Sequence, residues 1–220
     1  MQPETPLTTE PRSNTPPPTA RQDFARSQRR ESWKSAFSTI LILIIAPLIA
    51  LFLTAFVFQS YEVDGPSMEN TLQNRDRLIV WKLPRTMERV TGKLFIPKRG
   101  QIVIFVKHGI EAFDPAQDKQ LIKRVIGLPG ERVVIHGNDV TIYNSDHPKG
   151  FNPDKTGDYK IINTDAQANV DLVVPDGEIF VSGDNRPNSL DSRAFGTVPA
   201  KDIVGTLAYR IFPINKAKSF

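Results

Sequence analysis

Between Lys34 and Glu62 the chain carries no charged residue. Ala36 through Phe58 is a run of 23 residues whose only polar members are Ser38, Thr39 and Thr54. At the α-helical rise this run extends roughly 35 Å, enough to cross the hydrocarbon core of a bilayer with some tilt. A soluble helix of this length carries a polar stripe, and none is present. A cleaved secretory signal has an apolar core of about 7–15 residues and a small-x-small exit; this run is longer and leaves through Phe-Val-Phe-Gln. Pro47 is tolerable inside a membrane helix, where neighbours satisfy the freed carbonyl. The run therefore divides the chain into parts on opposite sides of a membrane.

The flanks give the orientation and the domain limits. Met1–Ala20 holds six prolines and five threonines with no apolar periodicity, a composition that cannot offset its own ordering entropy. Arg21, Arg26, Arg29, Arg30 and Lys34 then crowd the approach to the apolar run against Asp23 and Glu31. By the positive-inside rule this places the N-terminus in the cytoplasm. The expected organisation is a disordered, basic cytoplasmic tail over 1–34, a transmembrane anchor over 35–58 and an extracytoplasmic domain over 59–220. Net charge is +4 and is shared between the tail and the remainder, so no concentrated basic face points to nucleic acid.

The outer part reads as an all-β domain. Arg77–Trp81, Gln101–Val106, Gln120–Ile126, Arg132–His136, Val140–Tyr143, Glu178–Ser182 and Ile203–Ile211 are short runs rich in Val, Ile and aromatic residues, separated by Gly, Pro, Asn and Asp. Gly137-Asn138-Asp139 between RVVIH and VTIY predicts a hairpin. No amphipathic helix of more than two turns is evident after the span. Asn144–Asn169 reads as a polar excursion from the β core.

The absence of cysteine rules out disulfides, thiolate metal sites and a thiol nucleophile. His108, His136 and His147 sit in unrelated polar contexts without metal-ligand or triad spacing. A working serine here needs another base. Lysine serves only when desolvation lowers its pKa toward neutrality. Lys123 interrupts QLIKRVIG, where period-two alternation puts Leu121 and Val125 on its own face. Gly65 and Pro66 set a tight turn that presents Ser67 with its amide free to face an oxyanion. Gly183–Arg193, GDNRPNSLDSR, is a polar loop after a strand and lacks the calcium-loop pattern. Taken singly, these are equally an ordinary strand lysine, a turn and an Asx-rich loop.

Together they are more specific. GPSMENTL at Gly65–Leu72, RGQIVIF at Arg99–Phe105, KRVIGLPGE at Lys123–Glu131 and GDNRPNSLDSR follow one another after an apolar anchor. In that order and spacing the chain resembles the type I signal peptidases, over roughly Tyr61 to Tyr209. The resemblance implies a signal-peptidase/LexA-like antiparallel β fold behind one transmembrane α-helix. It implies a membrane-bound serine endopeptidase that removes signal peptides from exported preproteins after small-x-small sites. Ser67 would be the nucleophile and Lys123 the general base, with Ser189 hydrogen-bonded to the neutral lysine. Asp184, Asp191, Arg124 and Arg193 match a supporting polar scaffold. Tyr61, Val63, Met68, Leu72, Leu78, Ile104, Leu121 and Ile122 match the lining of two shallow pockets for small side chains. No cofactor and no metal are implied; the partners are signal peptides and the lipid bilayer, with no nucleic acid. The membrane would be the cell membrane or a thylakoid-type internal one.

Three positions depart from the family's pattern. Gln101 and Pro187 stand where aspartates are common, which implies altered pairing in the scaffold. Gly65 stands where some members have a serine that completes the oxyanion hole. A self-cleaving repressor of the LexA type shares the dyad and the fold, but needs a helical DNA-binding domain and no span. A tethered, non-catalytic β domain is the reading from another class.

Overall fold

The computed structural model describes residues 36–109, 118–162 and 168–220; the tail and its basic cluster lie outside them. Ala36–Val57 is one helix, α1, long and apolar enough to cross a membrane, its last turn widening to π-helical spacing over Leu53–Val57. Phe37, Ile42, Leu43 and Leu51 are exposed on it, as an anchor requires and a core helix would not. Residues 36–51 and 52–220 form separate compact units.

Among the described residues of the second unit, eleven strands make two antiparallel sheets. The strands are β1 Phe58–Glu62, β2 Arg77–Trp81, β3 Ile102–Lys107, β4 Lys119–Gly127, β5 Arg132–His136, β6 Asp139–Tyr143, β7 Asn169–Val173, β8 Glu178–Ser182, β9 Val198–Pro199, β10 Ile203–Phe212 and β11 Lys218–Ser219. The larger sheet runs β1-β2-β10-β3-β4-β8-β9, with β11 on β10; the smaller runs β6-β5-β7. The hairpin forms as expected, β5 meeting β6 from Arg132↔Tyr143 to His136↔Asp139. The seven strands expected from sequence are present, with ends moved by a residue where they differ. The short or polar β1, β7, β9 and β11 carry too little β-branched sequence to stand out.

One expectation is corrected. Leu83–Thr91 is a helix of nine residues, α2, starting with Pro84 in its first turn and stopping at Gly92. At 3.6 residues per turn it exceeds two turns. Its apolar residues Leu83, Met87 and Val90 do fall at i, i+4, i+7, but three positions broken by Pro84 and two threonines make a stripe too short to stand out in the sequence, and none of the helix is fully buried.

The core has three parts. Val103, Phe105, Val125, Ile179, Val181 and Ile203 pack on one face of the large sheet. Ile126 and Phe180 of that sheet join Val133, Ile135, Val140 and Ile142 of the small one. Val63, Met68, Leu72, Leu78, Ile102 and Leu207 form the third cluster, beneath the turn that bears Ser67.

Candidate active site

The loop from β1 to β2 is closed at its base, where Val63 N–H donates to the Asp76 carbonyl at 2.9 Å and Arg75 N–H to the Val63 carbonyl at 2.8 Å. Between these ties the chain turns at Gly65, whose φ of +98° disfavours any side chain. Ser67 follows on a turn fastened by Glu69 N–H to the Pro66 carbonyl and Leu72 N–H to the Met68 carbonyl. Met68 and Leu72, fully buried in the third cluster, anchor this turn from below.

Gly183–Arg193 presses against it from the other side. Asn185 N–H donates to the Ser67 carbonyl at 3.0 Å, and its side-chain amide donates to the Pro66 carbonyl at 3.2 Å and to Glu69 at 3.0 Å. A Cβ at Gly183 would collide with the Ser67 carbonyl and the Ser189 hydroxyl. The contacts between the two segments join residues 113 or more apart in sequence, and the close backbone approach needs residue 183 to have no side chain.

On β4, Lys123 is 3% exposed. Its Nζ donates to Ser67 Oγ at 2.7 Å and to the Ile122 carbonyl at 3.0 Å. Burial lowers its pKa from 10.5 to about 8; the Asp191 carboxylate pulls it up, the Arg193 guanidinium pushes it down and Asp184 pulls it up again. A substantial neutral fraction at mildly alkaline pH follows.

The polar scaffold is held by paired charges. Arg124, next to Lys123 and on the opposite face of β4, donates to Asp184 through Nε at 2.7 Å and Nη2 at 2.5 Å. Thr71 of the serine loop also donates to Asp184. Arg193 donates to Asp191 through Nε and Nη2, each at 2.8 Å. Burial would raise the Asp191 carboxyl, but the bond and charge of Arg193, with the Gly183 N–H, hold it below the usual carboxylate range. Asp191 also accepts from Ser182 and Gly183, tying the loop back to β8.

The structure places Ser189 differently from the resemblance. Its buried hydroxyl lies beside the Asp191 carboxylate, which it helps to hold low, and the Ile122 carbonyl, rather than this serine, is the second group bonded to the lysine. Gln101, exposed, accepts from Lys98 N–H at 2.8 Å, and Pro187 is exposed in the short 3-10 turn Arg186–Asn188. The Gly65 N–H donates to Asn74 at 3.1 Å and is thus engaged away from the serine.

Sequence reasoning missed a clamp supplied by the polar excursion. Arg186 meets Asp154 through both guanidinium nitrogens at 2.5 Å, with both side chains almost fully buried. Tyr159 donates to Asp154 at 3.1 Å, while its ring lies 4.1 Å from the Arg124 guanidinium carbon. Ile162 pairs its backbone with Asp184 and Arg186 at 2.8 and 2.9 Å. An Asp and a Tyr in a polar stretch give no periodic signal; their roles arise only from where the excursion returns.

Ser67 and Lys123 lie in the wall of a groove of about 550 Å³, with Tyr61, Val63, Leu78, Ile104, Leu121 and Ile122 as its apolar lining. Met68 and Leu72 do not line it; they support its floor from the core beneath. Leu190 and Asn188 of the polar loop close one side.

Known proteins are similar to this chain over most of its length. The family described as signal peptidase, peptidase S26, matches residues 36–212. A probable signal peptidase I-1 of Synechocystis is 33% identical over 188 residues, covering 84% of this chain and 86% of that protein. A signal peptidase I of Bacillus licheniformis is 33% identical over 84% of this chain and 92% of its own length. One from Leptolyngbya laminosa is 33% identical over 94% and 92%. A family match that takes in both the apolar helix and the groove, with relatives aligned over most of both lengths, means that the chain belongs to the signal peptidase family, peptidase S26, and is a hydrolase of the signal peptidase I kind.

Proposed function

We propose that this chain removes N-terminal signal peptides from exported preproteins, with Ser67 as nucleophile and Lys123 as general base. The observation that carries this reading is the 2.7 Å contact between Lys123 Nζ and Ser67 Oγ in a place where the lysine is desolvated. Neutral Lys123 accepts the Ser67 hydroxyl proton as Oγ adds to the scissile carbonyl. The resulting ammonium returns that proton to the departing amine, leaving an ester on Ser67. Neutral again, the lysine deprotonates a water that hydrolyses the ester and restores the serine. The amide of Ser67 is the oxyanion donor carried by this turn; the engagement of the Gly65 amide with Asn74 leaves that amide out of the role.

The groove supports small-x-small selectivity. Branched side chains at Val63, Ile104 and Ile122, with Leu78, exclude bulky residues by steric clash while accepting Ala, Gly or Ser next to the cut. The apolar helix and the basic cluster before it support an N-terminus in the cytoplasm and a peptidase domain across the membrane, in the cell membrane or a thylakoid-type one. The test is cleavage of a preprotein by the detergent-solubilised full chain, with the new N-termini sequenced. Cuts after small residues that vanish in Ser67→Ala and Lys123→Arg are expected. Undiminished turnover in folded Ser67→Ala would sink the assignment.

A further inference from the structure

A second cavity, of about 390 Å³, opens beside the last turn of α1. Its walls come from Ala55 and Phe56 of that turn, from Lys82, Arg85, Thr86 and Arg89, and from Lys201 and Asp202 at the start of β10. Positions 82, 85, 86 and 89 follow i, i+3, i+4, i+7 spacing, so one face of α2 and its leading residue look into the cavity. This face is fastened to the end of the anchor. Lys82 N–H donates to the Val57 carbonyl at 2.7 Å, Lys82 Nζ to the Ala55 carbonyl at 3.2 Å and Thr86 Oγ1 to the Phe56 carbonyl at 2.8 Å.

Its charge is unbalanced. Arg85 is neutralised by Glu88 at 2.8 Å and braces the wall by donating to the Lys201 carbonyl. That leaves Lys82, Arg89 and Lys201 against one carboxylate, Asp202, among the described lining residues; the His108 ring, also on the wall, faces Asp118 at 2.5 Å. Arg89 and Lys201 are exposed. Along the same helix Met87 and Val90 present exposed apolar side chains. Concentrated positive charge, an adjoining apolar edge and a covalent tie to a membrane-spanning helix describe a site for an amphiphilic anion at the bilayer surface.

We propose that this cavity binds the phosphodiester headgroup of an anionic phospholipid, with Arg89 and Lys201 as its principal ligands and Lys82 closing the inner end. The proposal rests on reading α1 as a membrane anchor. Tyr61 and Gln120 line both this cavity and the groove that holds Ser67, so a bound headgroup sits one side chain from the peptide-binding surface.

The experiment titrates full-length protein in neutral detergent with phosphatidylglycerol, following the melting temperature and lipid retention by native mass spectrometry. Phosphatidylcholine and inorganic phosphate are titrated in parallel. Phosphatidylglycerol is expected to raise the melting temperature and stay bound. R89Q/K201Q should weaken that response by about tenfold or more, while K149Q/K155Q, matched in charge, exposed and outside the cavity lining, should keep it. An equal loss in both double variants reduces the effect to general electrostatics and overturns the site. Reproduction of the shift by inorganic phosphate at equal concentration overturns the lipid assignment. Preprotein cleavage in lipid-free detergent persists in both variants, which separates failure of this site from failure of the peptidase reading.

Discussion

Lys123 Nζ lies 2.7 Å from Ser67 Oγ, although 56 residues separate them in the chain. The lysine comes from a strand in the middle of the large sheet and the serine from a loop held over it, so every expectation about catalysis depends on how burial and nearby charge divide the lysine between its two protonation states.

Turnover should rise with pH as Lys123 loses its proton, with a half-maximal value near pH 8, the point to which burial depresses its pKa. Lys123→Arg keeps a long cation that does not deprotonate, and should lower kcat by at least about a thousandfold, as should Ser67→Ala. The losses should not add in the double variant. A folded Lys123→Arg enzyme with a near-normal rate and pH profile would remove the lysine from the mechanism.

Stability should respond in the same sense, over a wider window. Between about pH 8 and 10.5 the unfolded chain holds a proton on Lys123 that the folded chain has released, so folding becomes more favourable as pH rises through that window. Below it the buried ammonium costs about 3 kcal/mol. Lys123→Met, inactive, should therefore resist denaturant better than the parent at pH 7, less the hydrogen bonds it forfeits, and the advantage should fade by pH 10.5. A variant that is less stable at pH 7 and unchanged by alkali would contradict the desolvation argument.

Breaking the clamp should damage both fold and rate. Asp154→Ala leaves the Arg186 guanidinium buried without its partner, a loss of about 3–5 kcal/mol. Because Arg186 also donates to the Gly183 carbonyl at 3.0 Å, the disturbance reaches the backbone that supports Ser67. Denaturation midpoints and kcat should fall together; loss of neither would make the excursion a passive insertion.

Widening the groove should relax specificity. Ile122→Ala or Ile104→Ala removes a branched wall and should let Val or Leu precede the cut, with a gain of about 10–200-fold in kcat/KM for such substrates relative to the parent. Competition between paired preproteins measures this directly. Unchanged preference would move the selective pocket elsewhere.

Orientation is open to proteolysis. In sealed vesicles a protease on the cytoplasmic face should trim only about the first 34 residues, the stretch that carries the basic cluster. Digestion around Ser67 from that face would reverse the assignment.

The sequence alone determined the features that depend on local pattern. Twenty-three residues without a charge specify a membrane-length helix, and runs such as RVVIH and VTIY specify strands because alternation is a property of neighbours. The motifs around Ser67, Lys123 and Asp184 were legible for the same reason, each being short and contiguous. Tertiary structure decided the rest. It turned Met68 and Leu72 into core beneath the groove, set the Ser189 hydroxyl beside Asp191 instead of on the lysine and the Gly65 amide on Asn74, and brought Asp154 and Tyr159 onto Arg186 and Arg124. None of these relationships is encoded by spacing. They follow from which backbone groups are already satisfied and which charges are buried together once the sheets have closed, and both are properties of residues far apart in the chain.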